Sequence, residues 1–518
     1  MADFDGTVNY NGKVAVPLSQ DNLRLPSHIA LTFGEDSATS VNISYVTKYS
    51  ITDTDIQIVP FSENPDFSKG TTVKGVKIDT NCEIDAEREY SAIDLSFIGI
   101  IKHKFAVNRH TAEITGLEAG QKYCYRIGDA DRGWWSDIGV INTADNGTAF
   151  SFLHVSDPQG VIEKQYKNNW AMALETAFDN HDINFLLATG DMVDNGNDFV
   201  EWKRMFNTAS DSLMDTVLMA GTGNHEERGD NANIQNFVYS NLPEQDTTTG
   251  VYYSFDYNTA HITVLNTNDL GDDNALSAEQ IEWLKADMGA SNKPWKFIAL
   301  HKAIYSNGAH FDDDDVIAIR EQLLPLMNEL DIDLVFQGHD HVYMRTDVMK
   351  DNAIVETETG TIKYNGLEYT TKIKPEGTIY SINGTIGPKH YEPKPSEETS
   401  ELIPDGEAVL FLEVPSYSHI QIDGGNLYFD TYSVEDGKET RVDQFAISKV
   451  ITLEDGTVID GTAGTIIDKP GNSIIDGITN GSAGTINMLL LATVAVCTLT
   501  VAYFITTATM VKRRREDL

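Results

Sequence analysis

Along roughly the first 145 residues, apolar and polar positions alternate with a period of two. Val41, Ile43 and Tyr45 in "SVNISYVT" fall on one face of an extended chain, and "KYCYRIGD" from Lys122 repeats the pattern. Such alternation predicts half-buried β-strands. From residue 149 the rhythm changes. Short, nearly continuous apolar runs ("AFSFLHV", "INFLLAT", "TVLMAG", "HITVLN", "WKFIALH", "IDLVFQG") alternate with helical stretches. Runs of that kind predict strands covered on both faces. One helix is signposted in "ALSAEQIEWLKADM", where Ser277 and Gln280 form a capping box and Leu276 and Ile281 a hydrophobic staple. The expected architecture is an all-β sandwich over residues 1–147, then an α/β (α+β) domain of sheets flanked by helices over 148–449. In such folds ligands gather at the carboxyl ends of the strands.

A third pattern closes the chain. Residues 486–511 carry no charge over 26 positions, and about 20 suffice to cross a bilayer's hydrocarbon core. "KRRR" follows at 512–515, which favours the cytoplasmic side. The expectation is a single transmembrane helix over 486–511, a basic cytoplasmic tail over 512–518, and a large extracellular part at the cell membrane. Residues 450–485, rich in Gly, Thr, Ile and Asp, are expected to form a stalk. Export calls for a leader, and residues 1–16 show neither a basic start nor an apolar core. The chain as given is therefore expected to start after a removed leader or at a misassigned position. A tail anchor facing the cytosol would instead carry four basic residues across the membrane.

Composition narrows the partners. The 518 residues imply two or three domains, and 41% hydrophobic content supports a large core. With 79 acidic against 38 basic residues the formal net charge is -41, a field that repels nucleic acid, so no nucleic-acid partner is expected. Cysteine adds little: Cys82 and Cys124 could pair or remain buried thiols, Cys497 sits in the apolar segment, and no CxxC spacing suggests a zinc site.

The chemistry sits directly behind the apolar runs. "FLHV" is followed by Asp157 and Gln159, "FLLAT" by Asp191 and Asp194, and "VLMAGT" by Asn224, His225 and Glu226. "KFIAL" ends at His301 and "LVFQ" at His339 and His341. Singly, an aspartate after a strand is usually a helix cap and a histidine at an apolar edge a structural one. Five strand ends that each deliver oxygen or imidazole donors to one rim are a different matter. That donor set suits Fe, Zn or Mn. Buried without a metal, these groups would need other partners to offset desolvation.

Asp157, "GDMVD", "GNHE", His301 and "GHDH" stand in the order of the calcineurin-like metallophosphoesterase family. Within it the chain resembles the purple acid phosphatases, from about Ser27 to Lys449. Leu117, Gly120 and Tyr123 have the spacing of a tyrosine corner and resemble a fibronectin type III or Ig-like sandwich. The resemblance implies two metal ions bridged by Asp191. One would be held by Asp157 and His341, with Gln159 as a further weak ligand, and the other by Asn224, His301 and His339. Two departures stand out. The tyrosine that purple acid phosphatases carry three residues after the bridging aspartate is Asp194 here, so no purple ferric band is expected. Many family members also have histidine where this chain has Gln159.

The implied activity is hydrolysis of small-molecule phosphate monoesters by a water that the two ions activate. His225 is the expected general acid or transition-state stabiliser, with Asp194 holding its tautomer. The rivals are a phosphodiesterase or nucleotide hydrolase on the same metal rim, and a non-catalytic surface binding protein. For Tyr343, Arg345, Arg228, Tyr305 and His154 structural roles are expected, for His310 least clearly, and Glu226 is expected to support the loop of His225.

Overall fold

The computed structural model describes residues 9–10, 13–14, 26–48, 51–85, 102–228, 246–247, 249–400, 402–463 and 465–467. The segments expected as a transmembrane helix and cytoplasmic tail, and most of the expected stalk, lie outside these residues. Among the described residues no helix is long and apolar enough to cross a membrane.

The N-terminal segments form two sheets that share one apolar core, but the strand expected to be half-buried is buried on both faces, from Val41 to Thr47. One contains Asp55–Pro60, Thr71–Lys74, Lys122–Asp129 and Gly139–Asn142. The other contains Ser27–Phe33, Val41–Lys48, Val76–Asp85 and Lys102–Ile114. Tyr123 makes the expected corner: its hydroxyl accepts from the Glu118 N–H at 2.9 Å. Cys124 is a free, buried thiol.

The second sheet does not stop at the domain boundary. Ser27–Phe33 pairs in parallel with Val217–Ala220, with Leu31 opposite Val217, so one ladder runs from the sandwich into the following domain. Side chains fasten the same seam: Ser37 Oγ donates to the Asp256 carbonyl at 2.8 Å and Tyr125 Oη to the Met214 carbonyl at 3.0 Å. Period-two alternation cannot reveal this pairing, because Ser27–Phe33 is buried at all of its positions.

The second domain holds two face-to-face sheets. In the first, Ala149–Val155, Phe185–Ala188 and Val217–Ala220 run parallel, with Ser416–Asp423, Asn426–Glu435 and Lys438–Ser448 added antiparallel. In the second, Ala260–Val264, Trp295–Lys302, Leu334–Gly338 and Ile379–Asn383 run parallel. Phe152 bridges the layers, its ring centroid 5.6 Å from Phe336 and 6.2 Å from Phe297. Helices Met172–Asn180 and Phe199–Thr208 bury residues in the core of the first sheet, and Ala278–Ala290 and Asp314–Glu329 in that of the second. Each sheet thus has the other sheet on one face and helices on the other, which explains the continuous apolar runs.

The signposted helix is capped on one side only. Ser277 accepts from the Gln280 N–H at 3.2 Å, but the Gln280 amide accepts from the Asn266 N–H at 2.8 Å and donates to the Asn266 carbonyl at 3.0 Å instead of returning to Ser277. A buried glutamine is worth more where it satisfies both backbone groups of a turn. The start of the expected stalk is folded: Val450–Thr452 and Val458–Asp460 form a hairpin in which Ile451 is buried.

A charged cluster away from the rim sets a pH dependence. His261 lies between Asp256 (2.7 Å) and Asp287 (3.0 Å). Burial acts to lower its basicity, but hydrogen bonds to the two carboxylates outweigh this and raise it to about 9. A histidine with a raised folded value contributes stability that is complete below the ordinary value near 6.5 and lost as pH rises through about 9. Allowing for the exposed Asp256 partner, the contribution is about 2 kcal/mol. Urea unfolding from pH 6 to pH 10 should show a fall in stability larger by about 2 kcal/mol in the parent chain than in His261→Asn, since the raised His301 contributes to both; equal slopes in the two would remove the assignment.

Candidate metal centre

The parallel strands of both sheets deliver their carboxyl ends to one rim. Asp157 follows Ala149–Val155, Asp191 follows Phe185–Ala188, Asn224 follows Val217–Ala220, and His301 lies near the end of Trp295–Lys302. His339 and His341 follow Leu334–Gly338. Four of these residues take left-handed backbone: Asp157 (φ +55°), Asp191 (+52°), His339 (+74°) and His341 (+53°). That conformation costs a residue with a Cβ about 1–2 kcal/mol, and such strain persists where the surroundings enforce it. Here it turns neighbouring side chains to separate targets. His339 Nδ1 lies 3.2 Å from His301 Nε2, while His341 Nε2 lies 3.3 Å from Asp157 Oδ1. Two glycines let the loops touch. A Cβ on Gly190 (φ +104°) would stand 2.6 Å from the Gly223 nitrogen, and one on Gly223 would stand 2.1 Å from Asp191 Oδ1.

Among the described residues, two clusters share Asp191, and a third group, His310 with Asp313 and His339, adjoins them through His339. Potential ligand atoms of Asp191, His301 and His339 lie within 4.8 Å of one another, as do those of Asp157, Asp191 and His341. Asn224 Oδ1 joins the first cluster, 3.0 Å from His301 Nε2. His301 Nδ1 donates to the Thr189 carbonyl (2.9 Å) and His341 Nδ1 to the Lys389 carbonyl (2.7 Å). Each imidazole therefore turns Nε2 inward, the usual second contact of a metal-ligating histidine. Oxygen and imidazole donors around one shared carboxylate fit a pair of cations.

Electrostatics describe the same centre. Burial acts to raise the Asp157 and Asp191 carboxyls, but the imidazoles of His341 and His301 hold both below the ordinary value. In turn burial acts to lower His301, and Asp191 outweighs it, raising His301 to about 9. His339 is held well below its ordinary value by burial and then by the neighbouring His301 and His310. Carboxylate–imidazole pairs are thus the partners these buried groups find among themselves.

Glu226 supports the loops rather than facing the clusters. Its carboxylate accepts from the backbone N–H of Asp191 (2.8 Å), Met192 (2.8 Å) and Gly223 (2.7 Å), tying two strand-end loops together. Burial and then the adjacent Asp191 push its carboxyl up to about 8. His225 sits between Asp191 and Asp194. Its Nε2 is 3.6 Å from Asp191 Oδ2, and its Nδ1 is 2.8 Å from the Asp194 main-chain carbonyl and 3.3 Å from the Asp194 carboxylate. The nearer partner for Nδ1 is therefore the carbonyl of Asp194. The carboxylate goes to Lys389, whose Nζ lies 2.5 Å from Oδ1. Gln159 reaches the rim with its amide nitrogen foremost, 3.0 Å from Asp191 Oδ2 and 3.2 Å from His341 Nε2.

Of the remaining candidates, Tyr343 and Arg345 bond Asp443 at 2.6 and 2.7 Å, and Tyr305 bonds Asn352 at 2.7 Å, which are structural contacts. His154 bonds Thr189 at 3.2 Å inside the core. Arg228 donates to the Asp194 carbonyl at 3.2 Å. His310 does reach the rim, its ring centroid 4.3 Å from that of His339. Asp340, the residue between the two histidines of "GHDH", accepts from the His310 N–H at 2.8 Å and so places that loop. Lys389 and Tyr391, whose ring stacks on His341 with centroids 4.7 Å apart, have no place in the sequence expectations. They follow the apolar strand Ile379–Asn383, so the same strand-end rule extended by one more strand would have found them.

Comparison with known proteins bears on this geometry. Residues 150–343 match the calcineurin-like phosphoesterase family and residues 26–143 the purple acid phosphatase N-terminal domain. Purple acid phosphatase 18 of Arabidopsis thaliana is 32% identical over 139 residues, 25% of this chain and 30% of its own length. Purple acid phosphatase 22 of the same plant is 24% identical over 254 residues, 46% of this chain and 53% of its own length. The chain thus spans about a third to a half of the length of these relatives. A purple acid phosphatase isolated from yellow lupin (Lupinus luteus) seeds shares the fold, with a TM-score of 0.63 at 16% identity over 82% of this chain and 74% of that one. Sequence order, strand-end geometry and these matches agree that the chain carries a calcineurin-like phosphoesterase domain behind a purple acid phosphatase N-terminal domain.

Proposed function

We propose that this protein is a binuclear metal-dependent hydrolase of phosphate monoesters, anchored to the cell membrane through residues 486–511 with its catalytic domain outside. The observation that carries the reading is the single carboxylate of Asp191 common to two donor clusters. In this reading Asp157 and His341 hold one ion, Asn224, His301 and His339 the other, and Asp191 both. A bound pair of divalent cations would supply an activated water and charge neutralisation for in-line displacement at phosphorus.

The chain's own residues do the rest. Thr189 and Lys389 fix the His301 and His341 tautomers through their carbonyls. Glu226 keeps the Asp191 and Gly223 loops in contact. His225 gives its Nδ1 to Asp194, which leaves Nε2, beside Asp191, as the atom from which a proton can pass to the leaving oxygen. The uncharged segment before "KRRR" supports the anchor and its direction.

The test is a panel of one phosphate monoester and one diester with the full chain loaded with Mn, Zn or Fe. Expected are monoester turnover, its loss on chelation and return with metal, two ions per chain by elemental analysis, and recovery of the chain with membranes. Faster diester turnover would favour the diesterase reading. No turnover in a fully loaded, folded chain would remove the enzymatic one.

A further inference from the structure

Gln159 is nearly fully buried at the rim, 1% exposed, and its amide can be oriented in only one sense. Its nitrogen lies 3.0 Å from Asp191 Oδ2 and 3.2 Å from His341 Nε2, and its oxygen lies 2.9 Å from Lys389 Nζ. Exchanging the two ends would set the amide oxygen against a carboxylate and the NH2 group against an ammonium, both like against like. Lys389 is itself held. Its Nζ also meets Asp194 Oδ1 at 2.5 Å, and its main-chain carbonyl takes His341 Nδ1 at 2.7 Å. One residue from a sixth strand-end loop thus touches three members of the site.

We propose that Gln159 is a hydrogen-bond donor to a non-bridging oxygen of the phosphoester rather than a ligand of a metal, and that Lys389 is the positioning residue that keeps it so. The inference rests on the phosphoesterase reading above. An amide nitrogen has no lone pair to offer a cation, and the one atom of Gln159 that could ligate is the oxygen that Lys389 holds. Of the two amide hydrogens, the one that meets His341 Nε2 would be released when that nitrogen's lone pair goes to a cation. A buried, pre-oriented N–H donor is worth most where negative charge develops, as at a phosphoryl oxygen. Lys389, with a side chain 31% exposed, braces the amide at its oxygen end.

The experiment compares Gln159→Leu, Lys389→Met, the double variant and Lys389→Arg in the full chain. It measures metal content by elemental analysis, metal affinity by calorimetry, inorganic phosphate affinity, and kcat and KM on a monoester. Expected for Gln159→Leu are unchanged metal content and affinity, with phosphate binding and kcat/KM both weakened roughly 10- to 100-fold. Lys389→Met, which keeps the main-chain carbonyl that His341 uses, should show the same pattern. The double variant should be no worse than Gln159→Leu, and Lys389→Arg should restore most of the loss. Loss of a metal equivalent in Gln159→Leu, or metal affinity tenfold weaker, would make Gln159 a ligand and overturn the proposal. So would unchanged phosphate affinity in both single variants, or additive losses in the double. If the parent chain hydrolyses no ester, the functional reading falls separately, while phosphate and metal binding still decide the role of Gln159.

Discussion

Asp191→Asn should lower phosphoester hydrolysis by at least about a thousandfold, roughly 4 kcal/mol of transition-state stabilisation, while costing the metal-free fold less, about 2–3 kcal/mol. The two halves of that result have different causes. Asp191 is the only carboxylate common to both donor clusters, so its loss weakens both cation positions at once. In the metal-free chain its charge is paired with the His301 imidazole, whose Nε2 lies 3.3 Å from Asp191 Oδ1. It is 1% exposed, and against that burial the pairing holds Asp191 below and His301 above their ordinary values, while burial and then Asp191 push Glu226 up. Asparagine keeps an oxygen for the His225 backbone N–H, which Asp191 Oδ1 accepts at 2.8 Å, and spares Glu226 a like charge, but it removes the carboxylate that buried His301 faces. Metal-free stability should therefore fall by about 2–3 kcal/mol, somewhat less than the full cost of breaking a buried ion pair. The added stability that saturating metal confers, about 2.7 kcal/mol at a hundred times Kd, should largely disappear. Urea unfolding with and without metal, beside monoester kinetics, reads both halves. Undiminished hydrolysis in Asp191→Asn would undo the catalytic assignment.

Glu226→Ala should do the opposite and strike stability first. Its carboxylate is fully buried and serves three backbone N–H groups from two loops at 2.7–2.8 Å. Each buried donor left without a partner costs about 1–3 kcal/mol. With some rescue by water entering the vacated space, the expected loss is about 3–5 kcal/mol. Glu226→Gln retains one acceptor and should lose about 1–2 kcal/mol. The urea midpoint of each variant is the measurement, and a loss below about 1 kcal/mol for Glu226→Ala would show that the loops do not depend on it. Adjacent positions in "GNHEERGD" thus separate: Asn224 and His225 face the centre, and Glu226 faces the backbone behind it.

The donors were legible because an apolar run buried on both faces must end, and what stands at its end faces the rim. That reasoning reached Asp157, Asp191, Asn224, His301, His339 and His341, all of which the structure gathers. It reached the cap of the helix Ala278–Ala290 but not the destination of Gln280, since the Asn266 turn comes close only after folding. It stopped before the strand Ile379–Asn383 and so missed Lys389. Nor could alternation show that Ser27–Phe33 pairs with Val217–Ala220, because pairing partners so far apart in sequence leave no local periodicity.

By itself the sequence determined the kinds of donor and the strand each one follows; these are local properties, written in runs and spacings of a few residues. Tertiary structure alone decided where each donor points. Asp157 meets His341 across 184 positions and Gln159 meets Lys389 across 230. Such meetings depend on two sheets ending at a common rim and on left-handed backbone at four of the donors, a conformation disfavoured locally and held only by the packed surroundings.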